Sequence, residues 1–336
     1  MKYRLKSIVW EITLACCFSC KYCGSSGGKA RENELTTEEC LSVVRQLSEL
    51  RCGRVNLIGG EVFMRRDWDT IVRALRSADI RVTIITNGFL FRTELIEKLK
   101  SLDIESVAVS LDGPEEIHDK YRQEGSYERA LGAVRVLTEA GIPVSVISTL
   151  NAENVKTLPV LYEILKNYPI FAWQLQACSP MGNAANGGID WRFSFREVID
   201  FVEANRRHAP FALGIADNIG YYTEEEGSLR GIQNGRVKFT GCRAGLTTLG
   251  IDSVGNVRGC ESMYDERFNE GNLRLRSLRE IWEDEHAFSY NRGFKPEYLS
   301  GKCSTCREGL RCAGGCRSYN WFTSGKLYEN PGCAKA

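Results

Sequence analysis

The chain has little histidine, little net charge and no long apolar run. Only three of its 336 residues are histidine: His118, His208 and His286. That argues against a Ser-His-Asp triad and against a multi-histidine metal site, both of which need imidazole as base or ligand. The 44 basic and 43 acidic residues leave a net charge of +1, so neither nucleic acid nor a membrane surface is expected as the main partner. No stretch is long enough to span a bilayer, and the basic start Met1-Lys2-Tyr3-Arg4-Leu5-Lys6 is not followed by the apolar core of a signal peptide. The expected compartment is the cytoplasm, where thiols stay reduced. Internal repeats and low-complexity linkers are absent too, which leaves one large core, or one large domain with a small one.

Cysteine is the exception to this scarcity. There are 14, and in a reducing compartment so many thiols point to metal ligation more readily than to disulfides. Cys16, Cys20 and Cys23 stand in the spacing C-x3-C-x2-C just after the apolar run Ile8-Val9-Trp10-Glu11-Ile12. Three thiolates on one short loop can hold three irons of a cubane cluster and leave the fourth iron open to a small molecule. An open iron suggests an enzyme rather than an electron carrier. A structural zinc is the alternative for the same thiols.

Short β-branched runs alternate with amphipathic stretches over the first half. Strands are predicted at Ser7–Thr13, Arg54–Ile58, Arg81–Thr86, Ser106–Ser110, Pro143–Thr149 and Phe171–Gln176. Helices are predicted at Thr37–Leu50, Trp68–Ser77, Thr93–Lys100, Tyr127–Ala140, Val155–Asn167 and, further on, Phe195–Arg207. Alternating strands and helices imply a parallel sheet. The fold class expected is α/β, an incomplete (β/α)6 barrel, with a doubly wound sheet as the alternative. In a barrel all strand C-termini share one face. The cysteine loop, Gly59-Gly60-Glu61, Thr86-Asn87-Gly88, Ser110-Leu111-Asp112-Gly113 and Ser148-Thr149 would then meet there.

Residues Gly214 to Gly241 carry a weak signal and read as loops, with Glu224-Glu225-Glu226 a solvated charge run. From Cys242 the thiols return, as Cys242, Cys260, Cys303, Cys306, Cys312, Cys316 and Cys333. Thr248 to Val257 reads as a β-hairpin turning at Gly255-Asn256. A tail this rich in thiols and this poor in apolar residues is expected to be stapled by metal, with zinc knuckles as the alternative to iron–sulfur clusters. The domain division expected is residues 1–213, a bridging region 214–240, and a cysteine-rich domain 241–336. Cys17, Cys40, Cys52 and Cys178 are read as small buried hydrophobes, and His118 as structural.

Taken together, C-x3-C-x2-C with Tyr22 before its last cysteine, Gly59-Gly60-Glu61 after the second strand, and the seven-cysteine tail with Gly255 before Cys260 resemble the radical S-adenosylmethionine (SAM) enzymes that carry a C-terminal SPASM domain. The resemblance spans Ile8 to Cys333. It implies SAM and three [4Fe–4S] clusters as cofactors. Cys16, Cys20 and Cys23 would hold the SAM-binding cluster. Cys303, Cys306, Cys312 and Cys333 would hold one auxiliary cluster, and Cys242, Cys260 and Cys316 the other. Related enzymes often have a further cysteine shortly before the position of Cys242; here Gly235 to Gly241 contains none, with Cys178 a remote substitute. Glu61 would take the SAM ammonium, Arg122 its carboxylate and Ser110 its ribose. Tyr22 and Leu175 would border the adenine, and Asn87 and Asp112 would face SAM or substrate. Glu261, next to Cys260, is carried over as a candidate base.

The substrate class the resemblance favours is a ribosomally made precursor peptide, to be crosslinked, oxidised or epimerised. The alternatives are a folded protein, such as a sulfatase, or a small molecule; a plain iron–sulfur electron carrier is the reading from another class. Few residues precede the first strand, so a separate leader-binding protein, or recognition by the barrel mouth, is expected. A flavodoxin- or ferredoxin-type electron donor is the other expected partner.

Overall fold

The computed structural model describes residues 2–186, 188–219, 226–230 and 239–335. Six parallel strands run in sequence order: β1 (Ser7–Glu11), β2 (Arg54–Ile58), β3 (Arg81–Thr86), β4 (Ser106–Ser110), β5 (Val144–Leu150) and β6 (Ala172–Ala177). Each pairs with its predecessor, for example Ile8 with Val55 and Leu57 with Ile84. A doubly wound sheet would reverse its strand order at a switch point. Here the order is consecutive, so the sheet curls one way as an incomplete barrel.

The helices lie where the 3.6-residue period puts them: α1 (Thr37–Glu49), α2 (Trp68–Ser77), α3 (Thr93–Lys100), α4 (Glu115–Tyr121), α5 (Ser126–Glu139), α6 (Leu158–Leu165) and α7 (Phe195–Asn205). Thr36 starts α1 with a reciprocal capping box to Glu39. Gly141, at φ +76°, takes the left-handed turn after α5 that other residues adopt at a cost. Helix α4 is too short to announce itself by periodicity, yet it carries His118 and ends at Arg122.

Alternation along the strands separates two faces. Ile8, Trp10, Leu57, Ile84, Val109 and Val146 are fully buried in one continuous core with the helices. Asn56, Thr83, Ser110, Ser145, Thr149, Gln174 and Gln176 alternate with the buried set and keep some exposure, so they line the concave side.

Beyond β6 the structure departs from the expected loops. β7 (Ala212–Ile215) extends the parallel sheet from β6. β8 (Thr248–Ile251) and β9 (Asn256–Arg258) form the hairpin, and β10 (Gly271–Asn272) pairs with β9. The hairpin turns over Asp252–Gly255, with Ser253-Val254 at its centre two residues earlier than expected, because the Asp252 side chain accepts from Val254 N and Asn256 N and closes the turn. β8 runs parallel to β1, with Val9 opposite Gly250, so the tail is joined to the barrel by a ten-stranded sheet. The charge run is a correction. Glu226 is 3% exposed and paired with Arg230, which is itself buried and caps the carbonyls of Ala216 and Ile219. Glu224, Glu225 and residues 235–238 lie outside the described residues.

Candidate active site

The cysteine loop leaves β1 and folds back on the turn after β2. Gly60 N donates to Thr13 O (2.8 Å) and Glu61 N to Ala15 O (2.7 Å). A Cβ on Gly60 would sit 2.3 Å from Leu14 O and 2.4 Å from Ala15 O, so only glycine lets these two segments touch. From the far side, Asn183 holds the loop: its N–H donates to Cys23 O and its side chain to Cys20 O, both at 2.9 Å.

The sulfurs are met by donors. Phe18 N reaches Cys16 Sγ at 3.4 Å, and Gly27 N reaches Cys23 Sγ at 3.3 Å. The Asn87 amide lies 3.4 Å from Cys17 Sγ and 3.8 Å from Cys16 Sγ. Such N–H···S contacts suit thiolates and are among the levers that set cluster potentials. Cys17 is thus a half-exposed neighbour of the ring, not the buried hydrophobe expected. The thiol of Cys20 is pushed up to about 11 by burial, so a metal would have to displace its proton.

Glu61 departs from the expectation. It is fully buried, and both oxygens are engaged within the fold. One accepts from Thr86 Oγ1 (2.8 Å), the other from Asn87 N (2.8 Å). Burial raises its carboxyl to about 7 despite these bonds. Through these bonds, and one from Phe63 N at 3.4 Å, the side chain ties the β2 turn to the β3 turn.

Asp112, Arg122 and Tyr22 are brought together, though not around an open mouth. Tyr22 Oη and Arg122 Nε both donate to Asp112 Oδ2. Asp112 Oδ1 accepts from Thr149 N at 2.7 Å, and Asp112 N donates to His118 Nδ1 at 3.1 Å. Asp112 is 1% exposed. Burial works to raise its carboxyl, but Arg122 and His118 hold it below the ordinary range. Asp112 and Arg122 therefore form a strut, buried at Asp112, that braces the cysteine loop. His118 is neutral and structural, its imidazole pushed down to about 4 by burial and Arg122. Ser110 sits at the concave end of β4, as expected. Leu175 does not border the mouth: strand alternation turns it into the core at 0% exposure, opposite Gln174 and Gln176.

In the tail, Cys303, Cys306, Cys312 and Cys333 line one small cavity together with Asn330 and Lys335. Cys312 is pushed up to about 12 by burial and then by the three other thiols. Cys242, Cys260 and Cys316 form a second group, in which burial and the neighbouring sulfurs raise Cys260 to about 12. Buried Arg317 donates to the carbonyls of Ala313, Gly315 and Leu327 and stands near thiols of both groups. Four thiols around one cavity and three in a second group are an all-sulfur donor set. A cubane takes one cysteine per iron, so the donor set fits it.

Glu261 lies over Gly250 on the concave side of β8. It is 4% exposed, and among the described residues neither oxygen meets a donor in full hydrogen-bond geometry, although the Tyr264 hydroxyl stands close enough to act on its carboxyl. Burial and the nearby Glu11 raise its carboxyl well above the usual range. Glu11, on β1, is held by Arg31 and by Tyr264 Oη. No periodicity or motif marks Arg31 or Tyr264; the parallel pairing of β8 with β1 brings them together.

The radical SAM superfamily model matches residues 10–165, and the iron–sulfur cluster-binding SPASM model matches residues 242–307. The chain is a radical SAM enzyme with a SPASM domain. Enzymes of this kind use SAM and [4Fe–4S] clusters. The AdoMet-dependent heme synthase of Methanosarcina barkeri is 29% identical over 338 residues, covering 97% of this chain and 95% of that protein. The mycofactocin maturase MftC of Mycolicibacterium smegmatis is 28% identical over 322 residues, 94% and 79% of the two chains. The structure of Streptococcus suis SuiB bound to the precursor peptide SuiA superposes with a TM-score of 0.78 at 18% identity, over 100% of this chain and 77% of that one. That likeness is one of fold. No helix among the described residues of this radical SAM/SPASM enzyme is long and apolar enough to cross a membrane.

Proposed function

We propose that the enzyme modifies a peptide by radical chemistry at the mouth of its barrel. Cys16, Cys20 and Cys23 would hold the SAM-binding cluster. Two auxiliary clusters would be held by Cys242, Cys260 and Cys316 and by Cys303, Cys306, Cys312 and Cys333. When bound, reduced cluster and SAM supply a 5′-deoxyadenosyl radical, which removes a hydrogen atom from an unactivated C–H. The chain's own part is to position, to exclude water and to handle protons. Backbone at Gly59-Gly60, with Asn87 and Ser110, would line the SAM site, while Glu61 and the Asp112–Arg122 strut fix the loops that carry it. Glu261, buried over β8 with its carboxyl raised, would be the group that exchanges a proton with the substrate, and would take one only after releasing its own.

The observation that carries the peptide reading is the lining of the concave face. Asn56, Thr83, Ser110, Ser145, Thr149, Gln174 and Gln176 share that face with Val9, Ile58, Ile85 and Ile147, and this mix of neutral donors, acceptors and apolar side chains suits the amides and side chains of an extended peptide. The names of MftC and of the SuiB–SuiA complex point the same way. A second reading, a small molecule such as a heme precursor, is favoured by the end-to-end match to the heme synthase. A cytoplasmic flavodoxin- or ferredoxin-type donor would supply electrons, and a leader-binding protein could deliver the peptide.

Co-expression with short peptides encoded beside the gene, read by mass spectrometry, tests the choice. A peptide that changes mass only with the intact enzyme supports the peptide reading. Unchanged peptides, together with turnover of an iron porphyrin carboxylate by the same preparation, would move the assignment to the small molecule.

A further inference from the structure

Beside each of the two thiol groups in the tail stands a buried hydrogen-bond donor with no acceptor among the described residues. At the three-cysteine group this is Tyr290. Its side chain is 8% exposed, and its hydroxyl finds no acceptor among the described residues. The oxygen packs against Gly259, the residue before Cys260, where a Cβ would stand 2.0 Å from it. Glycine at 259 is thus what admits the phenol. Phe268 packs edge-on against the ring at 5.5 Å, and the Tyr290 carbonyl receives Arg317 Nε (3.3 Å) and Tyr328 Oη (3.1 Å). The side chain is fixed from both ends. Burial, then the charges of Glu270, Cys242 and Cys260, keep the phenol protonated, and the Gly259 N–H lies close enough to be accepted by its oxygen, so what stays without a partner is the O–H as a donor.

At the four-cysteine group the donor is Asn330. It is 4% exposed and lines the cavity with the four thiols. Its Oδ1 accepts from Gly332 N at 2.9 Å, which fixes the amide orientation. Nδ2 is then the free end, and it has no partner among the described residues. Leaving a buried donor unpaired is costly, and two such donors at two thiol rings ask for a shared explanation.

We propose that Tyr290 and Asn330 each donate a hydrogen bond to a sulfur of the adjacent auxiliary cluster, and that these two bonds set the potentials of the clusters. The inference rests on the three-cluster reading above. A donor to a cluster sulfur stabilises the more negative, reduced form and so raises the potential. The two residues act through the cluster and are positioning residues, not catalytic ones. The fold thereby gives each auxiliary cluster its own adjustment, a phenol for one and a carboxamide for the other.

The test is an EPR-monitored redox titration of the anaerobically reconstituted enzyme, with iron counted in every sample. Y290F is expected to retain its iron and to move one auxiliary couple to more negative potential. The ratio of reduced to oxidised cluster at fixed solution potential should fall about tenfold, or 59 mV for a one-electron couple. N330L should move the other auxiliary couple in the same direction. The SAM-cluster couple should hold in both. G259A, which fills the phenol's place, should reproduce Y290F and serves if that variant folds poorly. Unmoved auxiliary couples in iron-replete Y290F and N330L would overturn the inference, as would loss of about four irons, since that would make the residue a ligand. A wild-type protein with iron for fewer than three clusters would instead fail the underlying reading.

Discussion

The Tyr22 hydroxyl donates to the Asp112 carboxylate across 90 residues of sequence. It ties the middle of the cysteine loop to the end of the fourth strand. Arg122 closes on the same carboxylate oxygen, so a single buried acid fixes the loop, the short helix α4 and, through Thr149 N, the fifth strand. The active-site face is organised around that acid more than around any group open to solvent.

Removing it should therefore be costly. D112A leaves Arg122 buried without a partner and is expected to destabilise the enzyme by about 3–5 kcal/mol. Chemical denaturation under anaerobic conditions measures this. D112N keeps the shape and should lose less. Asp112 is held below its ordinary range, so its contribution is present above the unfolded value near 4 and is lost as pH falls below it. A D112A protein as stable as wild type would remove the strut from the account.

Glu61 gives the opposite pH dependence. Its carboxyl is raised to about 7 by burial, so the folded state holds a proton that the unfolded chain releases near 4.3. Its contribution is full below that value and is lost as pH rises toward 7, amounting to roughly 4 kcal/mol at most. Melting curves from pH 5 to pH 8 should fall more steeply for wild type than for E61Q, which cannot titrate. Parallel profiles would contradict this.

Gly60 should tolerate no side chain. A Cβ there meets Leu14 O and Ala15 O, so G60A must push the cysteine loop away from the β2 turn. SAM cleavage is expected to fall by about 100-fold or more, since small misplacements of a reacting centre cost that much. The circular dichroism of the barrel should persist. Full activity in G60A would show that the two segments need not touch.

The cysteine assignments separate by iron content. Three cubanes require about twelve irons per chain. C312A should lose about four of these while SAM cleavage in the presence of dithionite persists, because the SAM-binding loop is left intact. C20A should lose about four and abolish cleavage. Zinc in place of iron in the tail would contradict the grouping.

Much of this was legible before any coordinates. The strands Arg54–Ile58, Arg81–Thr86 and Ser106–Ser110 match their expected limits, because two-residue alternation and flanking turns are local signals. The helices Trp68–Ser77 and Thr93–Lys100 match for the same reason at the helical period. What was not legible depends on long-range pairing. β8 joins β1 through a register that no local pattern encodes, and with it come Glu11, Arg31, Tyr264 and Glu261 as neighbours. The motif placed Glu61 at the site, but motif spacing cannot say that Thr86 and Asn87 have already taken its oxygens. Leu175 was misplaced by one step of strand alternation. The four-residue strand β7 and the buried Glu226 fell in a stretch whose composition resembles a loop.

The most direct test of the central claim is SAM cleavage itself. Protein reconstituted anaerobically with iron and sulfide, reduced with dithionite and given SAM, should release 5′-deoxyadenosine over repeated turnovers, and C16A, C20A or C23A should release none. No 5′-deoxyadenosine above the protein-free background, from wild-type protein that carries its full iron, would contradict the account.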